Sequence, residues 1–185
     1  MGWTDGVDLT TGDLVTEAGW NNYMGAAGSI QFLYDRPMAR VYHNANQALT
    51  QEDTTTVAFN SERFDTDVIH DNTTDNSRLT CKTAGIYQIT TNLRFSDVDG
   101  TDNFTSFMGT YFFLNATTSI ARTKEHVFEG TNSYNVVLTT LYELAVNDYV
   151  EVRVFAFYLD ANAQLDVAGN ISPEFMMVWV GGPTV

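Results

Sequence analysis

The sequence predicts an all-β fold: an antiparallel sandwich or jelly roll of about ten strands behind a short N-terminal extension with one small helix. Three observations carry this. From Met38 onward, apolar and polar residues alternate with period two in run after run, each bounded by turn residues. After Pro37 almost no stretch keeps helical spacing. No segment repeats at a fixed period, which removes solenoids and propellers.

Residues 1–37 differ in texture from the rest, with frequent Gly, Thr, Asp and Asn and little alternation. Thr16 can cap a short helix whose first turn holds Glu17 and Ala18, and Trp20, Tyr23 and Met24 then recur at helical spacing. Gly25 and Gly28 should end it, and Ile30, Phe32 and Leu33 form an apolar exit before Pro37. A segment this poor in core residues should be held by a partner, so the chain divides into an anchoring segment, 1–37, and a head domain, 38–185.

Within the head, strands are expected over 38–45, 56–59 and 64–69, and a pair over 78–95, RLTCKTAGIYQITTNLRF. In that pair Gly85 supplies a corner, and Tyr87, Ile89, Thr91, Leu93 and Phe95 fall on the apolar side of the second strand. Over 104–115, Phe107, Tyr111 and Phe113 take one face and Met108, Phe112 and Leu114 the other. Strands follow over 120–128 and 134–144, the latter with Val136, Leu138, Tyr142 and Leu144 on one side. After a turn at Asn147 and Asp148, the strand 149–158 sets Val150, Val152, Val154 and Ala156 against Glu151, Arg153, Phe155 and Phe157. The last strand, 175–180, reads FMMVWV and is apolar throughout. Strands apolar on both faces call for cover on both, which a single sandwich does not give and a second copy would.

Composition narrows function. A net charge of -14, with lysine only at Lys82 and Lys124, argues against nucleic acid as a partner. No apolar run is long enough to span a bilayer, so no membrane insertion is expected, and the opening residues lack the pattern of a secretory signal. The single cysteine, Cys81, sits in a strand pattern and reads as a small buried side chain. No nucleophile motif is present, and His43, His70 and His126 have no ligand-spaced neighbours, so the chain is not expected to be an enzyme. One acidic group, Asp97, Asp99 and Asp102 in SDVDGTDN, has spacing that suits calcium; otherwise it is a solvated turn, and no other cofactor is expected.

Three segments in order carry a more specific likeness: TAGIYQI, then LYELAVNDYVEVRVFA, then SPEFMMVWVG. They resemble the globular-head family of complement and tumour-necrosis-factor-type jelly rolls, through Gly85 and Tyr87, then Leu144, Asp148 and Val150, then Ser172 and Phe175. Asn147 stands where the family usually has glycine, and Met176 to Trp179 is bulkier than the usual final strand. The resemblance implies a ten-stranded jelly roll that forms a homotrimer. Phe112, Leu114, Phe155, Phe157, Met176, Val178 and Trp179 are the expected trimer contacts. The N-terminal stretch is similar to the openings of tailed-virus fibre, spike and decoration proteins, through Trp3, Gly12, Asp13, Val15, Thr16, Asn21 and Leu33.

Together these imply a structural protein at the virion surface. Its N-terminus would dock on capsid or tail proteins through Trp3, Leu14, Val15, Trp20, Tyr23, Met24, Phe32 and Leu33. Its trimeric head would stabilise a lattice or attach to a host-surface glycan or protein by avidity. The alternative is a soluble binding module of the complement-head type, calcium-assisted in recognising glycan or protein.

Overall fold

Twelve strands and one helix make up the described part of the chain, which in this computed structural model is residues 16–24, 32, 35–97, 106–127, 133–158, 163–167 and 173–183. The helix α1, Glu17–Met24, starts where a threonine can cap it: the Gly19 N–H donates to Thr16 Oγ1 at 3.1 Å. The strands are β1 (Met38–Tyr42), β2 (Gln47–Ala48), β3 (Thr54–Thr56), β4 (Ser61–Asp65), β5 (Arg78–Thr80) and β6 (Gly85–Asp97). Then follow β7 (Ser106–Leu114), β8 (Thr118–Val127), β9 (Ser133–Leu144), β10 (Tyr149–Tyr158), β11 (Ala163–Leu165) and β12 (Glu174–Gly181). The short β2 and β11 are additions to the strands expected from alternation, and β3 and β4 lie a few residues before their expected places.

Two antiparallel sheets face each other. In the first, β9, β6, β12, β1 and β4 lie side by side, and β11 with β2 continues beyond the far end of β6. In the second, β10 is central, with β7 and then β8 on one side and β3 and β5 on the other. This is a jelly-roll sandwich, the fold class read from the sequence. On β6 the expected inner set, Tyr87, Ile89, Thr91, Leu93 and Phe95, is wholly buried. The opposing sheet contributes Val150, Val152, Val154, Met108 and Phe112, and Phe112 stacks on Phe175 across the sandwich at 5.9 Å.

The two strands expected over 78–95 belong to different sheets. Strand β5 pairs with β10, whereas β6 pairs with β9 and β12, so residues 81–84 carry the chain from one layer to the other. Cys81 extends the β5 edge: its N–H donates to the Asp148 carbonyl at 2.7 Å, and its carbonyl accepts from Asn147 N–H at 2.9 Å. Asn147 takes the left-handed conformation at φ 73°, which asparagine tolerates in the place of glycine. Asp148 closes this turn by accepting from Ala145 N–H at 2.9 Å and from Asn115 Nδ2 at 2.8 Å. The Tyr87 hydroxyl donates to the Thr83 carbonyl at 2.6 Å, and the Trp179 indole to that of Ala84 at 3.4 Å.

Gly85 opens β6 at φ +154°, and a Cβ there would collide with the Trp179 ring and lie 2.5 Å from the Gly181 carbonyl. Gly85→Ala should therefore lower unfolding free energy by about 2–4 kcal/mol in urea titration. Gly182→Ala, where nothing lies within 4 Å of the added carbon, should stay within about 0.5 kcal/mol of the parent.

Candidate functional site

Outward-facing residues of β9, β6, β12, β1 and β4 form a mixed surface, with Val137 and Leu141 at one edge, Phe64 at the other, and Met176 and Val178 among polar residues between them. Registers set its rows: Leu141 beside Gln88 beside Val178 beside Met38, and Thr139 beside Thr90 beside Met176 beside Arg40 beside Phe64. Val137 and Leu141 are each 63% exposed, and Phe64 and Val180 are exposed as well. Thr90 and Thr139 share a hydroxyl hydrogen bond of 2.9 Å across the strands.

Two arginines on this face share one acid. The Glu174 carboxylate, 5% exposed, accepts from both Arg40 and Arg63, the latter at 2.8 Å. Arg63 also stacks on Tyr42 at 4.4 Å from the ring centre. The surface thus presents methyl, thioether and hydroxyl groups around a closed ionic cluster, a composition suited to contact with another protein surface.

The seven expected trimer contacts do not share one face. Met176 and Val178 lie on the surface just described, half-buried. Phe155 lies on the outside of the other sheet, and Leu114 packs against the core. Phe112 and Trp179 point inward and are buried within this chain, Phe112 on Phe175 and Trp179 edge-on to Phe32 at 4.9 Å. The Phe157 side chain is outside the described residues. The reason is the pleat: Phe175, Met177 and Trp179 alternate with Met176, Val178 and Val180, and only the second set faces out.

Of the expected docking residues, Phe32 is also interior, held by Trp179. It is therefore part of the core and is not presented to a partner. Trp20 is 56% exposed on α1. Tyr23 and Met24 lie on α1 with side chains outside the described residues, as do Trp3, Leu14, Val15 and Leu33 altogether. Of the proposed calcium ligands, Asp97 ends β6 with its side chain undescribed, and Asp99 and Asp102 lie outside the described residues.

A feature missed from the sequence lies at 62–82. The buried His70 ring places Nδ1 3.0 Å from Glu62 Oε1 and Nε2 3.3 Å from the Asn76 carbonyl. It borders an open cavity of about 480 Å3 lined also by Asp71, Asp75, Arg78 and Lys82. Backbone N–H groups of Thr74 and Thr73, with the Thr73 hydroxyl, hold the Asp71 carboxyl down to about 2. Arg78 is engaged by Asp75 at 2.6 Å and stacks on Tyr149. The cavity mixes both charge signs without placing a nucleophile beside a base, so no reaction class follows from it. Burial pushes the Cys81 thiol up, which keeps it protonated and unreactive. Among the described residues, no group of three or more His, Cys, Asp or Glu is arranged to hold a metal ion.

The same fold is found in solved structures. Murine APRIL at pH 5.0 and at pH 8.5 superimposes with TM-scores of 0.58 and 0.55, and the globular domain of the zebrafish complement 1qA protein with 0.54. Each is 14% identical, and each alignment covers 78% of this chain and 98% of the other. At that identity the similarity is one of fold. No family model matches the sequence, and no curated protein does.

Burial also sets an alkaline limit on stability. It raises the Tyr87 hydroxyl far above its usual range, and burial with the nearby Glu125 charge pushes Tyr134 up to about 12. A phenol with folded pKa above its unfolded value of about 10 contributes stability that is complete below that pH and lost as pH rises through the folded value. Stability should fall above about pH 10, and Tyr134→Phe should flatten the decline between about 10 and 12. Denaturant midpoints across pH, with the phenolate absorbance, measure both.

Proposed function

We propose that this chain is a non-enzymatic structural and binding head that assembles as a homotrimer through the outer face of its seven-stranded sheet. The observation that carries the reading is the apolar surface of Val137, Leu141, Phe64 and Val180 around Met176 and Val178, lying on a sheet face that no described element of this chain covers. Trimerisation multiplies each loop and each sheet surface threefold, so weak single contacts become firm attachment.

The N-terminal segment places the head. Its likeness to tailed-virus openings, and a tryptophan left 56% exposed on a capped helix, favour docking on capsid or tail proteins, and on that reading the trimer stands at the virion surface. The other reading, a soluble module recognising glycan or protein, is favoured by the fold shared with the complement 1qA globular domain. Both readings need the same assembly and differ in what Trp20 contacts. A calcium ion held by Asp97, Asp99 and Asp102 would assist recognition at the 97–104 loop in either case.

Light scattering in solution should give three times the chain mass, and Val137→Lys with Leu141→Lys should shift it to one chain mass with the fold retained. A parent protein that is monomeric at all concentrations removes the proposal. Trp20→Ala should abolish labelling of particles without changing the trimer; unchanged labelling would favour the soluble module. Millimolar calcium should raise Tm, and an unchanged Tm would dismiss the ion.

A further inference from the structure

The outside of the five-stranded sheet gathers cations among aromatic rings. Of nine Lys and Arg in a chain of net charge -14, four lie on this face: Arg78, Arg122, Lys124 and Arg153. Between them stand the aromatic residues Phe107, Tyr111, Phe113 and Phe155. Phe107 is 54% exposed and the other three are half-buried.

The registers order this surface into two adjacent rows, Arg122 beside Tyr111 beside Arg153, and Lys124 beside Gly109 beside Phe155. Gly109 has no side chain to stand off the sheet, and the Tyr111 ring reaches across it. A Cβ there would lie 2.7 Å from the ring and 2.9 Å from the hydroxyl. Tyr111 and Phe113 rings sit 6.2 Å apart, and the Arg153 guanidinium lies 4.5 Å over Phe113. Arg153 is already committed, to that ring and to Glu151 at 2.6 Å, and Arg78 to Asp75 and Tyr149. Arg122 and Lys124 are exposed and have no acidic partner among the described residues.

We propose that this face binds the end of a glycan that carries a single carboxylate, with the sugar ring over Tyr111 and Gly109 and the carboxylate held by Arg122 and Lys124. Ring faces accept the C–H face of a sugar, and a guanidinium paired with an ammonium fixes a carboxylate by charge-assisted hydrogen bonds. The chain's overall negative charge opposes approach of a long polyanion, so the ligand that fits carries one charge and not many. The inference rests on the reading of the chain as a binding head, but not on its oligomeric state.

Backbone-amide NMR titration of the full chain with two carboxylated probes, sialyllactose and cellobiouronic acid, and with their neutral parents lactose and cellobiose, tests it. Shifts should fall on β7, β8 and β10, and at least one acid should bind about fivefold or more tighter than its parent. Arg122→Ser with Lys124→Ser should cost about tenfold in affinity for that acid, and Tyr111→Ala should weaken binding of acid and parent alike, both with Tm within about 2 °C of the parent protein. The inference is overturned if neither acid exceeds its parent or if the shifts lie elsewhere. It is equally overturned if oligothymidylate or an acidic peptide binds these strands as tightly, or if the Arg122 and Lys124 changes alter self-association and not sugar binding. A trimer that ignores both acids removes this inference and leaves the assembly standing.

Discussion

The structure depends on one crossing between layers. Residues 81–84 take the chain from the sheet of β10 to the sheet of β6, and every polar group exposed by that departure must find a partner. The 145–148 turn supplies partners for Cys81 on both its N–H and its carbonyl, Tyr87 caps Thr83, and the Trp179 indole reaches Ala84. Gly85 then passes so close to Trp179 and Gly181 that no side chain fits. Three segments far apart in sequence, around Gly85 and Tyr87, around Leu144 and Asp148, and at the final strand, therefore meet at one point. Leu144 pairs directly with Gly85, which makes the meeting a register constraint as well as a packing one.

That meeting explains why the sequence reveals the fold so well. Those three segments also carry the likeness to complement and tumour-necrosis-factor-type heads, because a glycine without space for Cβ and an aspartate that closes a turn tolerate few substitutes. Long strands with one clear apolar set were equally legible: the inner face of β6 and the inner residues of β10 fall as alternation placed them. The two- and three-residue strands β2 and β11 left no periodic trace, since alternation needs several residues to be seen.

Which face points inward was harder to read where both sets are apolar. In β7, Phe112 and Phe113 are equally hydrophobic, so composition does not choose between them. The register does: Met108, Phe112 and Leu114 lie opposite Ala156, Val152 and Val150, whose inward direction the alternation of β10 had already made plain. Cross-strand partners share a face, so one unambiguous strand fixes its neighbour once the pairing is known. Without that pairing, Phe112 and Trp179 read as contacts for another copy, although both complete the core of their own. The His70 and Glu62 contact escaped for a related reason, since two residues eight apart meet only through a loop that alternation does not describe.

The two outer faces differ in how they treat charge, and this separates their roles. On the seven-stranded sheet, Arg40 and Arg63 both pair with one buried glutamate, so each of these cations has its acid within the chain. On the five-stranded sheet, Arg153 and Arg78 have their acids, while Arg122 and Lys124 stand beside aromatic rings with none among the described residues. Scarcity of acids is not the cause, because the chain has 23 Asp and Glu against nine Lys and Arg. With acids in such excess, two cations that meet none among the described residues, on an aromatic face, suit the proposed ligand whose negative charge comes from outside the chain.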